Sequence, residues 1–157
     1  MSEVLAYLSV DGASDAIDFY TRAFGATELY RLPMEDGRLG HAEIQIGDTR
    51  VLLADEYPEM NILGPNARGG PTASFAIMVD STEDLEAMWA QALAAGATVE
   101  REIEDQFYGH RMGQLLDPYG HKWSINAVVE EVSPEEMKRR MENMDFSEEI
   151  GSASKSG

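Results

Sequence analysis

The chain has 157 residues, 29 of them acidic and 12 basic, with a formal net charge of −17, three histidines and no cysteine. A chain of this length forms one domain with a core of its own, and the missing thiols exclude disulfides, thiolate metal sites and cysteine nucleophiles. The negative charge would repel nucleic acid and anionic membrane surfaces, so neither is expected as a partner.

The N-terminus, MSEVLAYLSVDG, carries no basic segment and only a short apolar run. It does not read as a secretory signal. No stretch approaches the ~20 apolar residues of a membrane span, so a cytoplasmic location is expected. Residues 7–27, YLSVDGASDAIDFYTRAFGAT, open on a strand ending in Val10-Asp11 and continue into a helix with Ile17, Tyr20 and Phe24 on one face. Gly25 suits the left-handed position that ends a helix. Three strand-like runs follow, TELYRL (27–32), GHAEIQI (40–46) and TRVLLADE (49–56), with Gly47-Asp48 as a two-residue hairpin turn. Residues 57–72 are rich in Gly, Pro and Asn and read as a loop.

The pattern then recurs. AIMVDSTEDLEAMWAQALAAGAT (76–98) is a strand ending in Val79-Asp80, then a helix that Ser81 opens, with Leu85, Met88, Trp89 and Ala92 at helical spacing and Gly96 at the stop. TVEREI (98–103), MGQLLD (112–117) and HKWSIN (121–126) read as strands. SPEEMKRRMENM (133–144) opens on Ser-Pro and reads as a helix within a C-terminal segment 131–146, and the tail 147–157 is expected to be disordered. The expected fold is therefore α+β: a domain over 1–130 built from two βαβββ modules, about 4–56 and about 73–127, with mixed curved sheets around a cleft and helices outside.

This tandem repeat, with IDFYTRAFGA in the first helix and LLDPYGHKWSI in the last hairpin, resembles the vicinal oxygen chelate superfamily. That superfamily groups glyoxalases, bleomycin-resistance proteins and dioxygenases, and the likeness is to its small bacterial glyoxalase-like proteins of the phosphonate-operon type. The resemblance implies a homodimer and four cleft positions that hold a metal through His, Gln or Glu. Here those positions fall on Leu5, Leu52, Ser74 and Ser124. Leucine does not coordinate a cation and neutral serine is a poor ligand for transition metals. No metal and no cofactor is expected.

Strand alternation indicates what lines the cleft instead. Ala42, Ile44 and Ile46 form one apolar face; His41, Glu43 and Gln45 share the other, with Glu43 opposite Leu52 and His41 opposite Ala54 if the two-residue turn holds. Two polar residues at i and i+2 on a buried face are unusual. They read as a ligand-binding pair, an acid–base pair, half of a displaced metal site, or residues satisfied by a mutual hydrogen bond or by a partner such as Arg50. In the last hairpin, Gln114 sits opposite Ser124. Asp117 reads as a turn residue, and His121 as a hairpin-end residue bonded to backbone. His110 and Arg111 fall in a loop before the strand, which with Tyr108 forms a rim of the cleft.

The leading functional expectation is a small organic ligand held in the cleft by Tyr7, His41, Glu43, Ser74, Gln114 and Ser124, with Tyr108 and Arg111 at the rim. The alternative is an enzyme using His41 and Glu43: a lyase or isomerase with Glu43 as general base and His41 polarising an oxygen, or a metal-dependent glyoxalase or dioxygenase type.

Overall fold

The computed structural model describes residues 1–144; the expected end of the last helix at 146 and the tail 147–157 lie outside the described residues. β1 (Tyr7–Val10) leads into α1 (Ala13–Phe24), followed by β2 (Thr27–Pro33), β3 (Leu39–Ile46) and β4 (Thr49–Asp55). The pattern repeats as β5 (Ser74–Val79), α2 (Thr82–Ala95), β6 (Thr98–Asp105), β7 (His110–Leu116) and β8 (Lys122–Val128), and α3 (Pro134–Glu142) follows. The fold is α+β, with two mixed four-stranded sheets ordered β1-β4-β3-β2 and β5-β8-β7-β6. In each, the first strand runs parallel to the fourth. Among the described residues no helix is long and apolar enough to cross a membrane.

The helices begin and end for identifiable reasons. Ser81 Oγ accepts from Asp84 N at 3.1 Å to cap α2, and Ser133 Oγ does the same for Glu136 N at 3.2 Å in α3. α1 has no local side-chain cap. Its orphan donors find Asp55 at the end of β4: Gly12 N and Ala13 N donate to Asp55 Oδ1 at 3.0 and 2.8 Å, while Leu39 N donates to Oδ2 at 2.7 Å. One carboxylate thus fixes the start of α1 against β3 and β4. Gly25 and Gly96 end the two long helices in the left-handed conformation.

Each sheet buries one face under a helix. Leu8, Ala42, Ile44 and Leu53 pack with Ile17 and Tyr20 in the first module; Leu115, Trp123 and Ile125 pack with Leu85 and Trp89 in the second. The modules meet through α1 and α2. Phe24 and Tyr20 also reach across to Trp123, at ring separations of 4.9 and 5.4 Å.

At this junction lies Asp117. It occupies the β7–β8 turn as expected, accepting from the backbone N–H groups of Tyr119 and His121 at 2.9 and 3.0 Å. It is also only 5% exposed, and its Oδ2 accepts from Tyr20 Oη at 2.5 Å and Trp123 Nε1 at 2.9 Å. Burial, then the adjacent carboxylate, raise the Tyr20 phenol well above the ordinary tyrosine range, so it remains a donor. Tyr20→Phe removes one donor from a buried carboxylate and should cost about 1.5–3 kcal/mol of stability. Urea denaturation of Tyr20→Phe, Trp123→Phe and the double variant measures this; because both donors serve one oxygen, the two losses should not add.

Candidate functional site

β3 carries the polar residues of the site, and the register decides where they point. Ile46 pairs with Thr49 across the Gly47-Asp48 turn, Glu43 with Leu52, and Ala42 with Leu53, as the two-residue turn requires. Ala42, Ile44 and Ile46 therefore face α1, and His41 and Glu43 occupy the opposite, open face of the first sheet. Tyr7 of β1 pairs with Leu52 and joins the same row.

These residues form one hydrogen-bonded chain. Tyr7 Oη lies 2.7 Å from His41 Nδ1, and His41 Nε2 lies 3.0 Å from Glu43 Oε2. Glu43 Oε2 also accepts from the Tyr30 hydroxyl, and Arg50 donates to Glu43 Oε1 at 2.9 Å. The rings of Tyr7 and Tyr30 flank the imidazole at 5.4 and 5.7 Å. A carboxylate only accepts, so His41 Nε2 carries the proton that meets Glu43. In the neutral imidazole, Nδ1 is then a lone pair directed at the Tyr7 hydroxyl.

Hydrogen bonds from Tyr30 and then His41, reinforced by Arg50, hold the Glu43 carboxyl below the usual range although burial opposes this. Burial, then the Glu43 charge, push the Tyr7 phenol up. The electrostatics thus settle one anion, Glu43, and keep the phenol protonated. With three donors on it, Glu43 is a weak base; its geometry suits holding His41 rather than removing a proton itself.

Tyr30 carries no sequence signal for this place. In an unbroken β2–β3 ladder Tyr30 would sit opposite Ala42, on the helix side. The register shifts between Glu28 and Tyr30, so Tyr30 instead pairs with Glu43. A bulge of this kind re-aims one side chain, and composition does not reveal it.

The second sheet presents its own polar group. Gln114 pairs with Ser124 as expected, and Ser124 pairs with Ala76. Asn126, on the same face, donates to Ser124 Oγ at 2.9 Å, and both are buried. Ser74 pairs with Lys122 at the start of β5. Arg111 differs from its expected place in a loop. It lies within β7 rather than in a loop, on the face opposite Gln114, and pairs with Asp105 at 2.6 Å. The segment before it is a tight turn, with Gly109 N donating to Gln106 O at 3.1 Å, which brings Tyr108 against Phe107 and His110. His121 bonds to backbone as read, but to a distant one: Nε2 donates to Ser9 O of β1 at 3.0 Å.

Two cavities adjoin these elements. One, of about 840 Å³, lies between the β3–β4 hairpin tip and the free edge of β5, with Phe24, Phe75 and Trp123 in its wall and Ser74 and Ala76 at its margin. The other, of about 360 Å³, sits at the start of α1 among Asp15, Asp36 and Arg38. Neither includes His41, Glu43, Gln114 or Ser124. The two polar groups thus stand on separate sheets of one chain and share neither hollow.

Residues 4–125 match the glyoxalase/bleomycin resistance protein/dioxygenase superfamily. The chain belongs to that superfamily. An uncharacterised protein of Mycobacterium bovis is 41% identical over 138 residues, covering 86% of this chain and 89% of its own. A solved structure from Pseudomonas aeruginosa superposes with a TM-score of 0.67 at 23% identity, covering 82% of this chain and 98% of that one. A PhnB protein of Bacillus cereus gives 0.64 at 17% identity, covering 81% and 100%. The last two likenesses concern the fold alone.

The superfamily's metal positions do not fit a metal in this member. Leu52 and Ser74 offer no ionised or imidazole ligand, Ser124 is already bonded to Asn126, and Leu5 precedes β1. Among the described residues no three His, Asp or Glu side chains converge as ligands.

The charge on Glu43 has a testable consequence. Its folded-state pKa is lowered, so its contribution to stability is present above the unfolded pKa and is lost as pH falls through the folded value. Tyr30→Phe removes the leading cause. The Glu43 carboxyl resonance should then titrate at higher pH in a carbon-13 NMR series, and acid unfolding should begin earlier.

Proposed function

We propose that the protein binds a small organic molecule on the open face of its first sheet, as a homodimer whose second copy supplies the facing wall. The observation that supports this most is the Tyr7–His41–Glu43 chain itself. It gathers polar atoms within an aromatic and apolar surface that a single chain leaves uncovered: Tyr7, Tyr30 and Leu32 are 52%, 43% and 54% exposed. Apolar walls with a few fixed polar anchors are the usual make-up of small-molecule sites.

The same uncovered character supports the dimer. On the second sheet Met78 and Val128 are each 52% exposed on the face that carries Ser124 and Asn126. Contiguous exposed apolar surface of this kind belongs to ligand or partner interfaces. In the dimer, Ser74, Gln114 and Ser124 of one copy would face Tyr7, His41 and Glu43 of the other. No metal takes part in this reading, because the ligand positions do not fit one.

Denaturation midpoints across a panel of organic acids, heteroaromatic compounds and antibiotics test the binding, since a ligand of the folded state raises the midpoint. A compound that does so should lose about tenfold in affinity, ~1.4 kcal/mol, with Tyr7→Phe or His41→Ala. Unchanged affinity in both variants would remove these residues as anchors. Sedimentation velocity addresses the dimer: the wild-type protein should sediment at twice the chain mass, and Leu32→Asp should sediment as a monomer.

A further inference from the structure

We infer that Tyr7, His41 and Glu43 form a proton relay in which the Tyr7 oxygen is the catalytic atom, exchanging a proton with a weak carbon or oxygen acid bound over the first sheet. This rests on the site proposed above and assigns it a reaction class. It also gives the three residues roles other than a glutamate base beside a polarising histidine.

Three observations carry it. First, the order of the chain is directional. Glu43 is bonded by Tyr30, His41 and Arg50 and accepts from all of them, so it orients the imidazole and stabilises any positive charge on it. Second, the orientation leaves His41 Nδ1 as an acceptor 2.7 Å from the Tyr7 hydroxyl. Third, access falls at the far end. The Glu43 side chain is 11% exposed and that of His41 23%, whereas Tyr7 is 52% exposed. A guest reaches the phenol before the imidazole or the carboxylate. The arrangement repeats the logic of an acid-oriented histidine behind a hydroxyl, with a phenol in place of a serine.

The step balances without a further reactant. A bound acid X–H gives its proton to the Tyr7 oxygen as the Tyr7 proton passes to His41 Nδ1. The products are X⁻, a neutral phenol and an imidazolium held by Glu43. Running the relay backwards onto a neighbouring atom is an isomerisation, and onto the same atom it is proton exchange. If X⁻ instead expels a leaving group, the outcome is an elimination. In both, Tyr7 touches the substrate, His41 takes the proton through it, and Glu43 and Tyr30 position His41.

Two measurements test the relay. The first is made on ligand-free protein by nitrogen-15 NMR of the imidazoles at neutral to mildly alkaline pH. In the neutral imidazole the proton should sit on Nε2; Tyr7→Phe should shift the Nδ1 resonance, and Glu43→Gln should disturb the tautomer. A neutral Nδ1–H form, or an Nδ1 resonance indifferent to Tyr7→Phe, overturns the relay. The second uses nitrobenzisoxazole, whose ring opens to a cyanonitrophenol when a base removes its carbon-bound proton and the N–O bond breaks. Wild-type protein should open it at least about tenfold faster than Tyr7→Phe or His41→Gln, the variants keeping their denaturation midpoints. Equal rates overturn the relay. Binding is judged separately by the ligand panel, so a protein that binds a compound yet shows equal rates keeps the binding role and loses this one.

Discussion

The molecule is organised around a carboxylate that has been taken out of water. Removing an ionised side chain from solvent costs several kcal/mol unless donors replace the lost hydration. Asp117 meets that demand with four donors, two from its own turn and two from Tyr20 and Trp123. Tyr20 belongs to α1 and Trp123 to β8, so one residue ties the first helix to the last hairpin. The surrounding aromatic cluster of Tyr20, Phe24, Phe75 and Trp123 then makes the two modules share a core at this junction. The turn, the first helix and the module junction all meet at these two oxygens.

Most of the fold was legible because it depends on short-range rules. The period of apolar residues marks both long helices, Gly25 and Gly96 mark their ends, and Gly47-Asp48 sets the register that places Glu43 opposite Leu52. What escaped notice is long-range. Nothing near α1 announces that Asp55, some forty residues on, will cap it. The turn motif around Asp117 reveals its backbone bonds but not the phenol that arrives from 97 residues away. The site divides in the same manner. Tyr7, His41 and Glu43 follow from alternation, whereas Tyr30 depends on a bulge that no residue type in β2 requires. Arg111 falls in a strand rather than a loop because β7 begins two residues earlier than the apolar pattern suggests.

At the four cleft positions that the family resemblance marks for His, Gln or Glu ligands this chain has leucine and serine, and its ionisable groups stand instead on β1, β3 and β4. Tyr30, His41 and Arg50 surround the Glu43 carboxylate, and the Tyr7 phenol stands behind the imidazole. Glu43 is the fixed point of this arrangement: it accepts from the imidazole Nε2, and its charge adds to burial in pushing the Tyr7 phenol up.

The bond from His121 to the Ser9 carbonyl bears on all of this. β1 has four residues and pairs along one side only, with β4. Such a strand would ordinarily fray at low cost. The imidazole of the last hairpin grips it two residues from Tyr7, so the strand that bears the phenol is anchored in both halves of the molecule. The placement of the Tyr7 phenol over His41 thus draws on a hydrogen bond lent by the other module, two residues along the same edge strand.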